Sequence, residues 1–302
     1  MILTVTPNPA LDHTLTLDEP LRSGVVHRTD AARFDAGGKG INVSQYLRAL
    51  GESTLATGFL GDPFGSVLRA QLGEEGVDAD FVDIDDTTRL NTTVLTPDGE
   101  YKLNHGGPRV GENAVDSLLE TIARHDPETV LVAGSLPRGI DATAIDRISA
   151  AGSWEVAVDV GGDLLRSLSG RYALCKPNRE ELAAATDEPV DTVEGCTAAA
   201  EALRARGFDR VVASLGADGA VMATEAGALY APALETDVVD TVGAGDALLS
   251  GVLAALARGE PDAVALKYGV AVASRVTAVA GTVVPGFDDV RADVEAVSVS
   301  EC

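Results

Sequence analysis

The chain has few cysteines and histidines, and their scatter excludes several kinds of site. Its three cysteines, Cys175, Cys196 and Cys302, are far apart in a chain of 302 residues and include no pair at metal-ligand spacing. This distribution favours neither a disulfide framework nor a zinc site. The four histidines are equally scattered, so no histidine cluster indicates a transition metal.

Long apolar runs are missing as well. No stretch is apolar over the length that a membrane span needs, and no charged-then-apolar leader follows Met1. We therefore expect a soluble, cytoplasmic protein. With 45% hydrophobic residues, the chain can build one large α/β domain or two small ones.

Lysine is scarce and the chain is strongly acidic. Only Lys39, Lys102, Lys176 and Lys267 occur, and the formal net charge is −24. Such a surface repels nucleic acid and anionic membranes, so neither is expected as a partner. The composition also suits a cell that holds molar salt, where the Debye length is about 3 Å and self-repulsion is screened. The alternative is an acidic protein from a low-salt cytoplasm.

The most informative stretch is residues 240–246, which read Asp-Thr-Val-Gly-Ala-Gly-Asp and precede an apolar run. The pattern predicts a helix that begins at a glycine turn. The first N–H groups of a helix lack internal partners and carry partial positive charge. Glycine lets an anion approach them closely. Asp246 can either cap this helix or take a proton from a hydroxyl held beside it.

Two motifs resemble those of one kinase family. Residues 240–246 look like the C-terminal signature of the ribokinase-like (PfkB) carbohydrate kinases, and residues 37–43, Gly-Gly-Lys-Gly-Ile-Asn-Val, resemble their N-terminal signature. Residues 6–12, Thr-Pro-Asn-Pro-Ala-Leu-Asp, narrow the resemblance to the phosphosugar branch of that family. The resemblance covers essentially the whole chain. It implies ATP as the phosphoryl donor and Mg²⁺ as a cofactor.

Short apolar β runs alternate with helical patterns along the chain. Strands are predicted at 2–6, 55–60, 129–133, 156–160 and 211–215, and helices at 41–50, 64–72, 115–123, 142–148 and 197–205. This alternation favours a mostly parallel sheet with helices on both faces. The resemblance implies a ribokinase-like, three-layer α/β/α fold in a single domain over residues 1–302.

Two segments break the alternation. Residues 12–17 and 89–104 predict short antiparallel strands with polar faces, and residues 96–99 have the proline and glycine of a β-turn. Because a small sheet without helical cover is marginal alone, we expect it to form a lid over the large domain. The lid is drawn from approximately residues 12–35 and 88–106.

Two common nucleotide motifs do not occur. The chain has no Gly-x-x-x-x-Gly-Lys-[Ser/Thr] P-loop, and Gly243-x-Gly245 lacks the third glycine of a dinucleotide fingerprint. Neither a Walker-type ATPase nor NAD chemistry is supported.

The resemblance assigns phosphoryl transfer to the C-terminal signature. Asp246 is the expected base, which takes the proton of the sugar hydroxyl. Gly243 belongs to the turn. The N–H groups of Ala244, Gly245 and Asp246 are expected to hold the oxygens of the γ-phosphoryl group.

The expected sugar contacts begin in the first third of the chain. Asp12 lies at the end of the first strand, where open parallel sheets place ligand contacts, and the resemblance implies that it binds the sugar hydroxyls. The N–H groups of Gly37 and Gly38 can approach the sugar. Asn42 can bond to the sugar, and Lys39 can neutralise its phosphate.

Further substrate contacts are expected on or near the lid. Arg89 and Asn91 lie two residues apart on one strand and face the same way, and residues 88–91 match a Thr-Arg-x-Asn element of the phosphosugar branch. Residues 103–108 resemble a Leu-Asn-Glu-Pro-Gly-Pro element but carry His-Gly in place of Glu-Pro, which leaves the particular substrate open. Residues 134–139 match the family's Gly-Ser-Leu-Pro-x-Gly loop. The remaining expected contacts are Lys102, Asn104, Ser135 and Arg138, the last of which can equally be a solvated side chain.

The nucleotide is expected in the second half of the chain. By resemblance, its contacts are Lys176, Asn178, Ser214, Gly216, Gly219 and Thr241. Asn178 and Glu181 have the family's Asn-x-x-Glu spacing and can orient waters on Mg²⁺, which usually keeps several waters. The alternative for this pair is a turn that only caps a helix.

Several functions remain open from the sequence. The first is ATP-dependent phosphorylation of a phosphorylated ketohexose, with fructose 1-phosphate preferred over fructose 6-phosphate and tagatose 6-phosphate. A plain sugar or nucleoside acceptor is a second hypothesis, against which Arg89 argues. A non-catalytic sugar or nucleotide sensor is the third, and such a protein would be expected to lack its base. Because unpaired sheet edges invite partners, a homodimer through the lid is one arrangement that the sequence allows.

Overall fold

The computed structural model describes residues 1–279, 281 and 284–302. In these residues the strands are β1 Ile2–Thr6, β2 Ala10–Thr16, β3 Ala32–Gly37, β4 Thr54–Leu60, β5 Val82–Asp83, β6 Arg89–Thr96, β7 Gly99–Asn104, β8 Thr129–Ala133, β9 Glu155–Asp159, β10 Tyr172–Cys175, β11 Phe208–Ser214, β12 Ala220–Thr224, β13 Gly227–Ala231 and β14 Ser300–Glu301. The α-helices are α1 Lys39–Ala49, α2 Phe64–Glu74, α3 Glu112–His125, α4 Ala142–Ala150, α5 Gly162–Ser167, α6 Arg179–Thr186, α7 Val193–Arg204, α8 Ala244–Ala257, α9 Asp262–Thr277 and α10 Val290–Ala296. A short 3₁₀ turn spans Gly216–Asp218.

The larger sheet confirms the predicted parallel architecture. Its strand order is β14-β13-β12-β11-β10-β9-β8-β1-β4-β5. Neighbouring strands are parallel from β5 to β11 and antiparallel from β11 to β14. Strands β1 and β4 are buried along their whole length, which is typical of a sheet covered on both faces.

The two faces of this sheet pack into different apolar clusters. Successive residues of a strand point to opposite faces, so Leu3 and Val5 pack with α3 to α7 whereas Ile2 packs with α1, α8, α9 and α10. The result is the expected three-layer arrangement. The carboxyl ends of the parallel strands meet at one edge of the sheet, where open α/β folds bind ligands. None of the helices in the described part of the chain is long and apolar enough to cross a membrane.

The predicted lid is a second sheet with the strand order β3-β2-β6-β7. The hairpin of β6 and β7 turns at residues 96–99, as predicted. The prediction that the lid strands are antiparallel is wrong for one pair. Strand β2 is antiparallel to β3 but parallel to β6. Both β2 and β6 leave the large domain at the same place, where Ala10 lies opposite Arg89, and therefore run outward together.

Candidate active site

Helix α8 begins at a glycine turn, as predicted. Gly243 precedes it with φ of 78°, a left-handed conformation that favours glycine, and a Cβ there would stand 2.7 Å from the Oη atom of Tyr46. The N–H group of Ala244 donates to a carbonyl oxygen of the turn itself at 3.2 Å. Among the described residues, this leaves the N–H groups of Gly245 and Asp246 without partners. The turn therefore offers an anion two donors rather than the expected three.

Asp246 is buried beside this turn, with 7% of its surface exposed. Asn42 Nδ2 donates to Asp246 Oδ2 at 2.8 Å. Burial and the negative charge of Asp159 raise the pKa of Asp246 to about 6, while the hydrogen bond from Asn42 and the charges of Lys176 and Lys39 act in the opposite direction. A carboxylate whose pKa lies near neutral pH is suited to accept a proton.

Asp159 is a site residue that the sequence analysis missed. It is fully buried at the end of β9, where Lys39 Nζ donates to its Oδ1 at 2.8 Å and Lys176 Nζ lies 3.4 Å from its Oδ2. Glu181 Oε1 is 3.6 Å from Lys39 Nζ. Burial opposes the charge on Lys39, but the carboxylates of Asp159 and Glu181 outweigh it, so the pKa of Lys39 is raised. A charged cluster thus lies next to Asp246.

Two residues predicted to contact the sugar belong to this cluster. Lys39, expected at the sugar phosphate, donates to Asp159, and Asn42, expected at the sugar, donates to Asp246. Their contacts with a sugar stay predictions. A buried carboxylate is costly unless it is paired, and the first turn of α1 supplies the donors. Lys176 was expected in the nucleotide cleft. It is 3% exposed and lies under the turn, where a Cβ on residue 245 would be 3.4 Å from its Nζ.

Asn178 and Glu181 cap helix α6 and also face the cluster. Asn178 Oδ1 accepts from the Glu181 N–H at 2.8 Å, and Glu181 Oε2 accepts from the Asn178 N–H at 2.9 Å. The capping interpretation is therefore confirmed. The second carboxylate oxygen of Glu181 is the one that approaches Lys39, so the pair also lies beside the cluster of Lys39 and Asp159.

The inner face of the lid carries the predicted sugar contacts. Asp12 lies opposite Asn91, which lies opposite Asn104, in one row across β2, β6 and β7. Asn91 Nδ2 donates to Asp12 Oδ1 at 2.8 Å. Burial raises the pKa of Asp12, against the effects of Asn91 and Arg89. A Cβ on Gly37 would overlap the Asp12 carboxylate, so glycine is required for this close packing.

Arg89 anchors the root of the lid. Its Nε donates to the Asn8 carbonyl oxygen at 3.2 Å, and Asn8 Nδ2 donates to Ser135 Oγ at 3.1 Å. Burial lowers the pKa of Arg89 while Asp12 raises it. These contacts bring the segment after β1, the lid and the loop after β8 together at the root of the lid.

Two predicted substrate residues, Arg138 and Lys102, lie farther out, and a third, Gly38, lies at the base of the lid. Arg138 is exposed, and its Nη2 donates to the carbonyl oxygen of residue 107 at 3.0 Å. Lys102 pairs with Glu100 at 2.8 Å on the exposed strand β7. Gly38, with φ of 135°, precedes α1 at the base of the lid.

The predicted nucleotide residues other than Lys176 line a cleft of about 650 Å³. Its polar part includes Asn178, Ser214, Gly216, Gly219 and Thr241, and it reaches Ala244 and Gly245 at the start of α8. The opposite wall is apolar, with Leu234, Leu248 and Val270. The sequence analysis missed this wall, because single apolar residues from α8 and α9 resemble ordinary core positions in the sequence.

A family profile described as "pfkB family carbohydrate kinase" matches residues 6–287. The chain belongs to the pfkB family. It is 57% identical over 290 residues to a 1-phosphofructokinase of Haloferax volcanii, covering 96% of this chain and 95% of the relative. A 1-phosphofructokinase of Bacillus subtilis is 30% identical over 275 residues, covering 89% and 90%.

Solved structures of pfkB kinases have the same fold. Phosphofructokinase-2 from Escherichia coli, in complex with potassium, superposes with a TM-score of 0.90 at 27% identity, covering 98% of each chain. Arabidopsis thaliana ribokinase, complexed with ribose and ATP, superposes with a TM-score of 0.80 at 23% identity, covering 97% of this chain and 98% of that one. The second match supports the fold alone.

In this pfkB chain the two signatures meet at one place, because Asn42 of the first hydrogen-bonds Asp246 of the second. The cleft reaches Ala244 and Gly245, the two residues before Asp246.

Proposed function

We propose that the chain transfers the γ-phosphoryl group of ATP to fructose 1-phosphate, which gives fructose 1,6-bisphosphate and ADP. The observation that carries the proposal is Asp246, a buried carboxylate with a raised pKa at the start of α8. It lies beside two unpartnered helix N–H groups, between the donor cleft and the lid.

In this step, the acceptor hydroxyl oxygen forms a bond to the γ-phosphorus of ATP. The bond from that phosphorus to the bridging oxygen breaks, and ADP leaves with the electron pair. Asp246 takes the hydroxyl proton. The N–H groups of Gly245 and Asp246 stabilise the negative charge on the transferred group, and the ammonium groups of Lys39 and Lys176 add positive charge nearby.

Cations on the lid support a phosphorylated acceptor. Arg89 lies at the root of the inner face. Farther out, Arg33 and Lys102 end a row that runs through Thr14 and Thr93, and each is paired with a lid carboxylate, Asp35 and Glu100. A neutral sugar would not need Arg89. A misplaced phosphate would lose charged hydrogen bonds worth about 1.5–3 kcal/mol each, or about 10- to 150-fold in affinity.

The names of relatives support the C1-phosphate form of the acceptor. Besides the two 1-phosphofructokinases, a protein of Bacillus licheniformis that is 34% identical over 256 residues is a D-tagatose-1-phosphate kinase. The rival acceptor is fructose 6-phosphate, with which the Escherichia coli phosphofructokinase-2 has been crystallised at 26% identity to this chain. Tagatose 6-phosphate is a further rival.

The residues near Asp246 suit Mg²⁺ held mainly by phosphates and water. Asp159 Oδ2 is buried and accepts no hydrogen bond among the described residues, with Lys176 Nζ 3.4 Å away as an ion pair, and Glu181 is the nearby second carboxylate. In that part of the chain, no three His, Cys, Asp or Glu side chains form a metal site by themselves. Mg²⁺ commonly takes one or two carboxylates and completes its shell with water and phosphate. When bound, it would neutralise charge on the nucleotide phosphates.

ADP release with ATP and Mg²⁺ at high KCl tests the proposal. We expect fructose 1-phosphate to be turned over at least tenfold more efficiently, in kcat/KM, than fructose 6-phosphate, tagatose 6-phosphate or fructose. If the protein prefers another phosphosugar, the proposed mechanism stands but fructose 1-phosphate is not its acceptor. Folded protein with no turnover on any acceptor would favour the sensor hypothesis instead.

We further propose a homodimer that packs through the outer faces of the two lids. On this face, Phe34 stacks on His13 with ring centroids 4.4 Å apart, and Phe34, Tyr101 and Leu103 are 45%, 40% and 62% exposed. Contiguous apolar surface of this kind marks an interaction site. A relative, phosphofructokinase-2 of Escherichia coli, has a tetrameric inhibited form. Light scattering of Leu103→Glu should show monomer where the wild type is dimeric; a monomeric wild type would contradict the proposal.

A further inference from the structure

One wall of the donor cleft is a short turn that needs support. Residues 214–219 leave β11, form the 3₁₀ turn and return into β12. Gly219 has φ of 92°, and a Cβ there would overlap the carbonyl oxygen of Ala231 on β13. At residue 219 the turn therefore packs directly against the backbone of β13, and its position depends on contacts with its neighbours.

Arg179 joins this turn to two helices. As the first residue of α6, it lines the cleft beside Asn178. Its Nη1 donates to the Val190 carbonyl oxygen and lies 3.3 Å from Cys196 Sγ on α7. Its Nη2 donates to Asp218 Oδ2 at 2.6 Å. One guanidinium thus connects α6, α7 and the 3₁₀ turn.

The backbone of the turn is fixed from the other side. Tyr230 Oη donates to the Asp218 carbonyl oxygen at 2.8 Å, and the N–H of Leu215 donates to the Gly219 carbonyl oxygen at 2.8 Å. The residue at 218 is therefore held at its carbonyl by β13 and at its carboxylate by Arg179. Without the guanidinium, Asp218 would lose its side-chain contact with α6, and among the described residues the turn would be tied to that helix only at its start, where the N–H of Ser214 donates to the carbonyl oxygen of Pro177 at 3.0 Å.

The guanidinium is directed at protein acceptors. A carbonyl oxygen, a sulfur atom and a carboxylate already occupy two of its nitrogens, and the Asp218 carboxylate balances its charge. Although Arg179 borders the cleft, this arrangement holds it against the turn rather than extending it toward a nucleotide phosphate.

We propose that Arg179 is a positioning residue for nucleotide binding, which holds the turn at 216–218 through Asp218 so that the donor cleft keeps its shape. The ligand class, an adenine nucleotide, rests on the proposed function. The acceptor half of the site is built from the lid and β1, which Arg179 does not touch. Its loss should therefore weaken nucleotide binding and leave acceptor binding unchanged.

The test measures nucleotide binding by calorimetry with ADP and with a non-hydrolysable ATP analogue. We expect Arg179→Met to weaken both about tenfold, because it removes charged hydrogen bonds, and Asp218→Asn to weaken both about two- to fivefold, because that carboxylate is mostly exposed. The double variant should bind no worse than Arg179→Met, since the two residues act through one contact. Arg204→Met, at the far end of α7, is the matched control and should bind as wild type.

Three results would overturn the proposal. If Arg179→Met binds the ATP analogue more weakly but binds ADP as the wild type does, Arg179 contacts the γ-phosphate. If the fold-loss of nucleotide affinity in the double variant equals the product of the two single losses, the two residues act separately. A raised KM for the acceptor in Asp218→Asn, which changes only an exposed side chain, would mean a general structural effect. The calorimetry needs no acceptor, so it is independent of the proposed function. If the wild-type protein turns over no sugar but the variants bind nucleotide more weakly, the proposed function is refuted and the role of Arg179 stands.

Discussion

Replacing Asn42 with leucine should move the acid limb of the pH–activity profile to higher pH. Asn42 Nδ2 donates to Asp246 Oδ2 at 2.8 Å and lowers the pKa of a carboxyl group that burial and Asp159 raise to about 6. A hydrogen bond to a charged group contributes about 1.5–3 kcal/mol, and one pKa unit corresponds to about 1.4 kcal/mol. Asn42→Leu should therefore raise the pKa of Asp246 by about 1–2 units.

The consequence is a loss of activity that depends on pH. At pH 7 the ionised fraction of Asp246 should fall from about nine-tenths to between about one-half and one-tenth, and most of the loss should be regained at pH 9. The assay is kcat/KM for ADP release from pH 5.5 to 9.5. A sugar phosphate also titrates near pH 6, but it is the same in every variant, so the difference between variants reports on Asp246.

Gln45→Leu is the matched control for this experiment. Gln45 lies on the same helix and donates to the carboxylate of Glu75 at 2.6 Å, on the surface. This variant loses the same kind of contact and should keep the wild-type profile. An acid limb that stays in place or moves down in Asn42→Leu would refute the argument that this hydrogen bond sets the basicity of Asp246.

Three further predictions concern Asp159, the turn at Gly243 and the net charge of the chain. Asp159→Asn should move the acid limb to lower pH, because it removes the negative charge that raises the pKa of Asp246 and leaves the two lysines to act on that carboxyl alone; an upward shift in the pH profile would contradict this. Gly243→Ala should lower kcat more than tenfold, and adding Tyr46→Phe should restore part of it by removing the atom that the new Cβ meets at 2.7 Å; no recovery of kcat would contradict the steric cause. With a net charge of −24, the protein should lose its folded circular dichroism signal on dialysis to about 10 mM salt, where the Debye length is about 30 Å, and an undiminished signal would refute the high-salt expectation.

The elements that the sequence predicted are those with local signals. The turn at 240–246 and the start of α8 depend on neighbouring residues, and so does the hairpin turn at 96–99. The two residues of the capping box, Asn178 and Glu181, are three positions apart. In each case the residues that decide the structure are adjacent in the chain, so pattern and turn chemistry are sufficient.

The partners of the charged side chains could not be predicted in this way. Lys39 and Asp159 are 120 residues apart, and Asn42 and Asp246 are 204 apart. Their pairing depends on which strand ends meet at the edge of the sheet. The parallel pairing of β2 with β6 has the same cause. The signal for Asp159 is an aspartate inside the apolar run at 156–160, but nothing nearby in the sequence indicates its two lysines.

The central claim, that Asp246 is the base of a phosphosugar kinase, is tested most directly by Asp246→Asn. The measurement is ADP release from fructose 1-phosphate and ATP at high KCl, with nucleotide binding followed by calorimetry on the same samples. The account predicts a loss of about 10²- to 10⁴-fold in kcat with nucleotide affinity within a factor of about three of the wild type. A variant that keeps more than a tenth of the wild-type kcat would contradict it.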